Sequence, residues 1–373
     1  MKKKVGIITH YYKNDNYGGL LQAYALCQVL NSMGVEATQI CYQMTGGKRK
    51  FIKKVLSRAK SLLCQIKSFI FYKQINRGII ERKQLLELFR NNIPHTDKVY
   101  NINNIASCDN FDVYITGSDQ VWNPEWIDSA YLLEFVKNNK VKISYAASIG
   151  KDELTDEQKA MFKLALEDYR AISVREKSAK SLLQPFVSQN IQCVLDPTLL
   201  LNAEEWDNKN FILPYKYVFC YFLCGDKKHR ELAQSFAVKN GLKLVTIPYL
   251  NGRYRKVDAQ FKSEKLNDVS PENFLSLINN AEFIFTDSFH ATVFSSIFKK
   301  EFVVFANVDK KMNNRIYTLT EIFGTTERFC DTTEKMSMEY ILNLQTIEYN
   351  KDFSKFDELK RISIDFLKKN IGI

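Results

Sequence analysis

The sequence predicts an α/β protein made of two Rossmann-like domains that face each other across a cleft. The chain has 373 residues, more than the ~250–300 that one hydrophobic core usually organises. Short apolar segments alternate with amphipathic ones in two consecutive runs, which is typical of parallel sheets covered by helices. We expect an N-terminal domain over 1–205, a C-terminal domain over 206–350, and a last helix in 351–373 that can pack back on the N-terminal domain.

The first forty residues predict a strand, a loop, a helix and a second strand. Residues 5–9 form a short apolar run, and residues 10–19 are polar and contain glycine. Residues 20–30 have apolar side chains at helical spacing, and Gly34 supplies a stop. Another apolar run follows at 35–42. The loop would then lie at the carboxyl end of the first strand, the edge where open α/β sheets bind ligands.

The same alternation continues through both domains. A helix over 155–169 has Thr155 as its candidate N-cap, and a helix over 228–240 ends before Gly241, a typical C-terminal glycine. Further helices begin at Ser270-Pro271, follow the strand exit at 287–290, and span 356–369. The predicted strands are 111–115, 142–148, 171–175, 193–195, 217–224, 242–247, 282–286 and 302–305.

The formal net charge of +11 is confined to one segment. Residues 48–90 hold thirteen Lys and Arg against two Glu, whereas the rest of the chain has 40 basic and 40 acidic residues. The apolar spacing within the segment predicts a basic amphipathic insertion over about 48–90. It either lies on an anionic membrane through residues 48–72 or packs on the domain with its charges solvated. No nucleic-acid-binding motif accompanies the charge, so nucleic acid is not an expected partner.

The sequence indicates a cytoplasmic protein, which could also be peripheral to the inner face of the plasma membrane. The apolar run behind the first lysines is too short for a signal peptide, and no ~18-residue apolar stretch predicts a membrane span. The eight cysteines are scattered, without a CxxC pair or a histidine at zinc spacing. We therefore expect reduced thiols and no bound metal.

Two residues at strand exits are the first candidates for chemistry. His290 lies where an apolar strand meets the next helix, and histidine can donate or accept a proton near neutral pH. Its alternative role is to cap that helix or to form a core hydrogen bond. Arg175 ends a short strand and suits bidentate binding of a carboxylate or phosphate. Its alternative role is an ion pair with Glu176 or another acid.

Two polar loops are the next candidates. The loop around Asn16, Gly18 and Gly19 resembles a phosphate-binding turn in composition, but it lacks a Walker or GxGxxG pattern, and its composition alone favours a plain connecting loop. The segment 116–124 places several polar side chains after a buried strand, which suits hydroxyl-rich ligands; its alternative is an Asx-type turn. The candidate residues in it are Ser118, Asp119, Gln120 and Asn123. No zinc-protease, serine-hydrolase or calcium-loop motif is present.

Six motifs, taken in order, resemble those of the polysaccharide pyruvyl transferase family. The resemblance runs from about residue 5 to about residue 325. The motifs occupy residues 16–22, 116–123, 147–150, 173–176, 195–198 and 286–291.

The resemblance implies a glycosyltransferase-B-like fold and transfer of the pyruvyl group of phosphoenolpyruvate to two hydroxyls of a sugar, with release of phosphate. The acceptor would be a surface polysaccharide or its lipid-linked precursor, and no cofactor or metal would be needed. His290 and Arg175 match the catalytic and donor-binding positions. The substrate-binding candidates are Asn16, Gly18, Gly19, Ser118, Asp119, Gln120, Asn123, Asp287 and Ser288. One departure is Ser288, because some members of the family carry a second arginine there.

Two other functions fit the same sequence. One is a sugar-nucleotide-dependent glycosyltransferase of polysaccharide biosynthesis, because a fold does not fix a function. The other is a non-catalytic assembly protein bound to a membrane surface through residues 48–72.

Overall fold

A computed structural model describes residues 2–44, 73–137, 139–207, 211–249, 255–307, 313–349 and 354–373. The proposed membrane-binding segment 48–72 lies outside these residues. In the described ranges, no helix has the length and apolarity needed to cross a membrane.

The first half of the chain forms a six-stranded sheet. Its strands are β1 (Lys4–Ile8), β2 (Glu36–Gln39), β3 (Val113–Thr116), β4 (Val141–Ala147), β5 (Ala171–Val174) and β6 (Ile191–Cys193). They pair in the order β2-β1-β3-β4-β5-β6, and every pairing is parallel.

The second half forms another parallel six-stranded sheet. Its strands are β7 (Tyr217–Tyr221), β8 (Lys243–Thr246), β9 (Glu264–Lys265), β10 (Phe283–Thr286), β11 (Phe302–Phe305) and β12 (Phe329–Cys330). Their order is β12-β11-β10-β7-β8-β9. The two sheets confirm the predicted α/β class with Rossmann-like halves.

Helices connect and cover the strands of both sheets. The described helices are α1 (Tyr17–Ser32), α2 (Lys73–Asn91), α3 (Asp156–Leu166), α4 (Lys177–Leu183), α5 (Ala203–Trp206), α6 (Lys227–Lys239), α7 (Lys256–Gln260), α8 (Pro271–Asn279), α9 (Phe289–Ile297), α10 (Asn313–Ile322), α11 (Met338–Leu342) and α12 (Ser354–Ile371). Short 3₁₀ turns lie at Ile105–Ser107, Ser129–Leu132, Pro197–Leu199 and Thr326–Arg328.

The topology of each sheet leaves a crevice at its carboxyl edge. β1 lies between β2 and β3, and β7 lies between β8 and β10, so the chain adds strands first on one side of β1 or β7 and then on the other. Ligands of open α/β sheets bind at such switch points. Gly18, in the segment after β1, touches His290, in the segment after β10. The two crevices therefore meet in one cleft.

Helix α1 begins three residues earlier than the sequence pattern predicts. The apolar spacing places its start at Leu20, but the helix begins at Tyr17 with Asn16 as N-cap, whose side-chain oxygen accepts a hydrogen bond from the Gly18 amide at 2.9 Å. Glycine normally disfavours a helix interior. Here the cap fixes the first turn, and Gly18 and Gly19 lie in it because their neighbours leave no room for a Cβ.

The two halves share one hydrophobic core near the cleft. The Tyr17 ring stacks on Phe274 with 4.7 Å between centroids, and the Tyr17 hydroxyl donates to the Val269 carbonyl oxygen at 2.7 Å. The start of α1 is thus fixed against the second sheet's helices.

Helix α2 shows that part of the basic segment is not solvated. Its Arg82 is buried and donates to three backbone carbonyl oxygens of the second half: Asn267 at 2.7 Å, Pro248 at 2.9 Å and Leu266 at 3.1 Å. The prediction that the charged side chains of 48–90 are solvated is therefore wrong for Arg82. A guanidinium has five N–H donors in a fixed fork, which suits several carbonyl groups at once.

Helix α12 lies against the first sheet. The Leu195 amide donates to the Ser363 hydroxyl at 2.9 Å, and the rings of Tyr145 and Phe366 are 6.3 Å apart. The last helix of the chain thereby packs on the N-terminal half.

Candidate active site

His290 lies in the first turn of α9, directly after β10. Ser288 caps this helix, and its hydroxyl oxygen accepts a hydrogen bond from the Ala291 amide. The His290 Nε2 atom is 4.0 Å from the Asp196 carboxylate and is buried without a hydrogen-bond partner. Burial lowers the pKa of His290, and Asp196 and Asp119 offset this only in part. The imidazole is therefore a neutral, unsatisfied group at neutral pH.

Arg175 follows β5 and is almost completely buried. Its Nη1 atom donates to the Asp196 carboxylate at 2.8 Å, and its Nη2 atom is 3.6 Å from the Asp119 carboxylate. Its Cζ atom lies 4.6 Å from the centroid of the Phe289 ring, within cation–π range. Glu176, the predicted ion-pair partner, is 3.9 Å away. Arg175 is thus an interior residue of the cleft, not part of a surface ion pair.

Asp196 holds this cluster together. One carboxylate oxygen accepts from the Thr198 amide and hydroxyl at 3.1 and 2.7 Å, and the other accepts from Arg175 and from the Ser118 hydroxyl at 3.0 Å. Burial alone would raise the pKa of Asp196, but Arg175 and His290 outweigh burial and lower it. This residue fixes the positions of the guanidinium and of the loop after β3.

Asp119 is the acid of the cluster that reaches solvent, with 21% of its side chain exposed. Its φ is 70°, an uncommon backbone conformation for a non-glycine residue, and amides of Ser148 and Val121 donate to its carbonyl oxygen at 2.9 and 2.8 Å. Burial by itself would raise the pKa of Asp119. The charge of Arg175, together with that of His290, which is protonated in the acid range where Asp119 titrates, outweighs burial and lowers the pKa to about 2.

The other candidates in the loop after β3 differ in accessibility. Ser118 is fully buried and donates to Asp196 and Ala146, so it positions the loop and does not face a substrate. Gln120 has a buried Nε2 atom without a partner, and its carbonyl oxygen contacts His10 at 3.2 Å. The side-chain oxygen of Asn123 accepts from the Glu125 amide at 3.1 Å, which makes it part of a turn.

The candidates near α1 shape the cleft through their backbone. An ideal Cβ on Gly18 would lie 2.0 Å from His290 Nδ1, and one on Gly19 would lie 2.3 Å from Asn14 Nδ2. Asn16 is the cap described above. The N-terminal ends of α1 and α9 therefore converge, and such ends attract anions.

Asp287 does not lie free in the cleft. Its two carboxylate oxygens accept hydrogen bonds from the amides of Leu223 and Cys224 at 2.6 and 2.9 Å. The thiol of Cys224 also contacts this carboxylate. The residue therefore joins the segment after β10 to the segment after β7 and is a structural group.

Three residues of the cluster were not predicted as site residues. Asp196 belongs to a motif that carried the family resemblance, but no chemistry was assigned to it. The Glu176 Oε1 atom accepts hydrogen bonds from the hydroxyl of Ser148 and the amide of Ile149 at 2.9 and 3.0 Å. Glu176 therefore holds the motif at residues 147–150 in place. Arg315 lies on α10 without any motif, and no sequence signal could have identified it.

Several buried polar atoms of this cluster have no hydrogen-bond partner among the described residues. Four are nitrogen atoms of cationic or imidazole groups, and one is an amide nitrogen; a single carboxylate oxygen accompanies them. They are Arg175 Nε and Nη2, Arg315 Nε, His290 Nε2, Gln120 Nε2 and Glu176 Oε2. Buried polar groups are normally satisfied, so this concentration indicates a binding site with an excess of donors.

One group of side chains in the described ranges has the composition of a metal site. Ligating atoms of Cys224, His229 and Asp287 lie within 4.8 Å of one another, with 3.6 Å between Cys224 Sγ and His229 Nδ1. Burial and Asp287 raise the pKa of the Cys224 thiol to about 12. The Cys224 thiol contacts both the Asp287 carboxylate and the His229 ring, so the three side chains form a hydrogen-bonded cluster. Sequence spacing did not indicate it, because Asp287 is remote in the chain.

A second recess adjoins the start of α1. It has a volume of about 450 Å³ and is lined by the loop before α1, one face of α2 and the carboxyl ends of β7 and β8. Tyr17, Tyr221 and Tyr249 supply aromatic surface, and Lys13 and Lys83 lie at it. Because Gly18 follows Tyr17 in the chain, the recess lies next to the His290 cluster.

Comparisons of structure show the fold. The chain is similar to the co-structure of S. aureus MnaA with UDP, with a TM-score of 0.55, 11% identity, and coverage of 100% of this chain and 97% of the other. It is also similar to UDP-GlcNAc 2-epimerase of Methanocaldococcus jannaschii, with a TM-score of 0.54, 12% identity, and coverage of 97% and 99%. The expected glycosyltransferase-B-like fold is confirmed by these likenesses.

Comparisons of sequence identify the family. No curated protein sequence matches the chain significantly. The family model described as polysaccharide pyruvyl transferase matches residues 16–309. This range contains His290, Arg175 and all the other predicted site residues. The protein is therefore a transferase and belongs to the polysaccharide pyruvyl transferase family.

Proposed function

We propose that the cleft binds phosphoenolpyruvate and transfers its pyruvyl group to a saccharide as a ketal. The observation that carries this proposal is the excess of unsatisfied buried donors around Arg175 and His290. Phosphoenolpyruvate has a carboxylate and a phosphate, both of which accept several charge-assisted hydrogen bonds. The converging ends of α1 and α9 add further N–H groups for an anion.

The charge balance of the site implies proton uptake on binding. Two guanidiniums, Arg175 and Arg315, accompany three carboxylates, Asp119, Glu176 and Asp196, while His290 is neutral. A polyanionic ligand beside His290 favours the imidazolium form, because an opposite charge within a few ångströms stabilises it. Binding of phosphoenolpyruvate would thus favour protonation of His290, the acid that the proposed reaction needs.

The proposed reaction then balances without a cofactor. Imidazolium at His290 donates a proton to the methylene carbon of phosphoenolpyruvate, which becomes the methyl group. A sugar hydroxyl adds to the oxocarbenium-like central carbon and loses its proton to the imidazole. The carbon–oxygen bond to phosphate breaks, a second hydroxyl of the same sugar forms the second bond, and its proton leaves with inorganic phosphate.

The recess beside α1 is our proposed acceptor site. Tyr17, Tyr221 and Tyr249 line it, and the faces of aromatic rings suit sugar rings. Lys13 and Lys83 would contact an anionic group of the acceptor, such as the phosphate of a lipid-linked precursor. The likeness to UDP-binding enzymes concerns the fold alone. A sugar-nucleotide-dependent glycosyltransferase is the alternative function, and UDP-N-acetylglucosamine in the ligand screen tests it.

A ligand screen tests the donor. We expect phosphoenolpyruvate to raise the Tm of the full chain, since a ligand at about 100 times its Kd adds roughly 2.7 kcal/mol of stability. Inorganic phosphate, pyruvate and UDP-N-acetylglucosamine serve as comparisons. Stabilisation by the sugar nucleotide and not by phosphoenolpyruvate would favour a glycosyltransferase. No stabilisation by any of them, with binding to liposomes, would favour the assembly protein.

A further inference from the structure

We propose that Arg315 is the second donor-binding arginine of this protein. It would replace the arginine that some members of the family carry at the position of Ser288. This inference rests on the proposed function and assigns a role to a residue that no motif marks.

The location of Arg315 supports this role. Its Cζ atom lies 5.7 Å from the centroid of the Phe289 ring, and the Cζ atom of Arg175 lies 4.6 Å from the same centroid. Phe289 immediately precedes His290, whose imidazole contacts it edge-on at 5.2 Å between centroids. The two guanidiniums and the imidazole therefore surround one aromatic side chain.

The bonding of Arg315 differs from that of the structural arginines. Arg82 donates to three carbonyl oxygens, and Arg230 donates to Asp258 and to two carbonyl oxygens. Within the ranges that the structure covers, Arg315 forms no ion pair with a carboxylate within 4.0 Å, and its shielded Nε has no partner. Arg315 is only partly exposed, and a half-buried guanidinium whose shielded Nε has no partner is costly, which is expected of a group reserved for a ligand.

The charge state of Arg315 suits an anion. Burial, followed by the neighbouring charge of Arg175, lowers its pKa to about 10. The group still carries its charge at neutral pH, and an anionic ligand between the two arginines would relieve their repulsion. Ser288 cannot supply this second positive charge, because its side chain is a neutral hydroxyl that caps α9. The second cation thus comes from a different element of the fold.

Calorimetric titration of phosphoenolpyruvate into the full chain tests the role. We expect Arg315→Gln to weaken binding by roughly 10- to 100-fold, the usual range for losing charge-assisted hydrogen bonds. The affinity of Arg315→Lys for phosphoenolpyruvate should lie between those of Arg315→Gln and the natural protein, because lysine keeps the positive charge but lacks the planar guanidinium with its several N–H donors. The matched control is Arg361→Gln on α12, whose side chain is 69% exposed. Equal affinity of Arg315→Gln and the natural protein would overturn the inference.

Chemical rescue separates binding from folding. We expect added methylguanidine to restore phosphoenolpyruvate binding to Arg315→Ala, and to leave the affinity of Arg361→Ala unchanged. A folded Arg315→Ala protein that binds weakly and gains nothing from methylguanidine would contradict a direct contact. Failure of the natural protein to bind phosphoenolpyruvate would instead refute the proposed function, whatever the variants do.

Discussion

The imidazole of His290 occupies the space that a side chain at position 18 would need. An ideal Cβ on Gly18 would lie 2.0 Å from His290 Nδ1, far inside any real contact distance. The contact joins the first turn of α1 to the first turn of α9. A glycine in the N-terminal half therefore determines where the principal candidate for proton transfer in the C-terminal half can lie.

Gly18→Ala is expected to reduce activity by roughly 100-fold, because a catalytic group displaced by about 1 Å can cost that much. It should also lower stability by about 1–3 kcal/mol, the usual cost of overpacking. Phosphate release from phosphoenolpyruvate and urea unfolding measure the two effects. Gly225→Ala is the control, since the nearest atom to a Cβ there is 3.9 Å away. Full activity in Gly18→Ala would show that the close contact is unimportant.

The pKa of His290 should rise when phosphoenolpyruvate binds. Burial holds the pKa below 6.5 in the free protein, and an anion beside Nε2 favours the protonated form. Affinity should therefore increase as the pH falls from the pKa of the complex toward that of the free protein. NMR titration can resolve this, because the chain has only four histidines and His290→Gln assigns the resonance. An unchanged pKa at saturation would argue against contact with the donor.

Asp119 should make stability depend on pH in the acid range. Its pKa is lowered from 3.8 to about 2, so its contribution is present above 3.8 and is lost as the pH falls through 2. The shift corresponds to about 2 kcal/mol, which Asp119→Asn should remove at pH 7. Urea unfolding at a series of pH values measures the loss. Asp365→Asn, in an exposed pair, is the control; equal effects of both substitutions would contradict a special role of Asp119.

We further propose that residues 48–72 contact anionic lipid. This segment has eight Lys and Arg and no acidic residue, and each basic residue near such a surface contributes about 1 kcal/mol. Co-sedimentation with phosphatidylserine vesicles should decrease in a variant that keeps the chain length but neutralises four charges: Lys53→Gln, Lys54→Gln, Arg58→Gln and Lys60→Gln. Phosphatidylcholine vesicles are the control. Undiminished binding of the folded variant would exclude this segment as the lipid contact.

Sequence patterns predicted the sheets because parallel strands buried on both faces are short apolar runs. The strands at Phe302–Phe305 and Ala171–Val174 lie within one residue of their predicted bounds. His290 and Arg175 were found for the same reason, since each directly follows such a strand. The start of α1 was missed because two glycines argue against a helix, and only contacts across the cleft explain them.

Sequence could not show which polar residues serve the fold and which serve the site. Asp287 and Ser118 lie in motifs, yet their side chains are engaged in hydrogen bonds within the protein. Arg315 lies outside any motif, and its place beside Phe289 depends on how α10 packs on α9. Such roles depend on long-range contacts that local patterns do not record.

Transfer of labelled pyruvyl groups tests the central claim most directly. The full chain is incubated with [¹³C₃]phosphoenolpyruvate and with surface glycan of the source cells whose ketals were removed by mild acid, and the product is analysed by mass spectrometry and ¹³C NMR. We expect a ¹³C-labelled pyruvyl ketal on the glycan and an equal amount of released phosphate. His290→Ala should fold normally and lose about 10²- to 10⁴-fold in rate, the usual contribution of a general acid. Absence of labelled ketal from a preparation that binds phosphoenolpyruvate, or full activity in His290→Ala, would contradict the account.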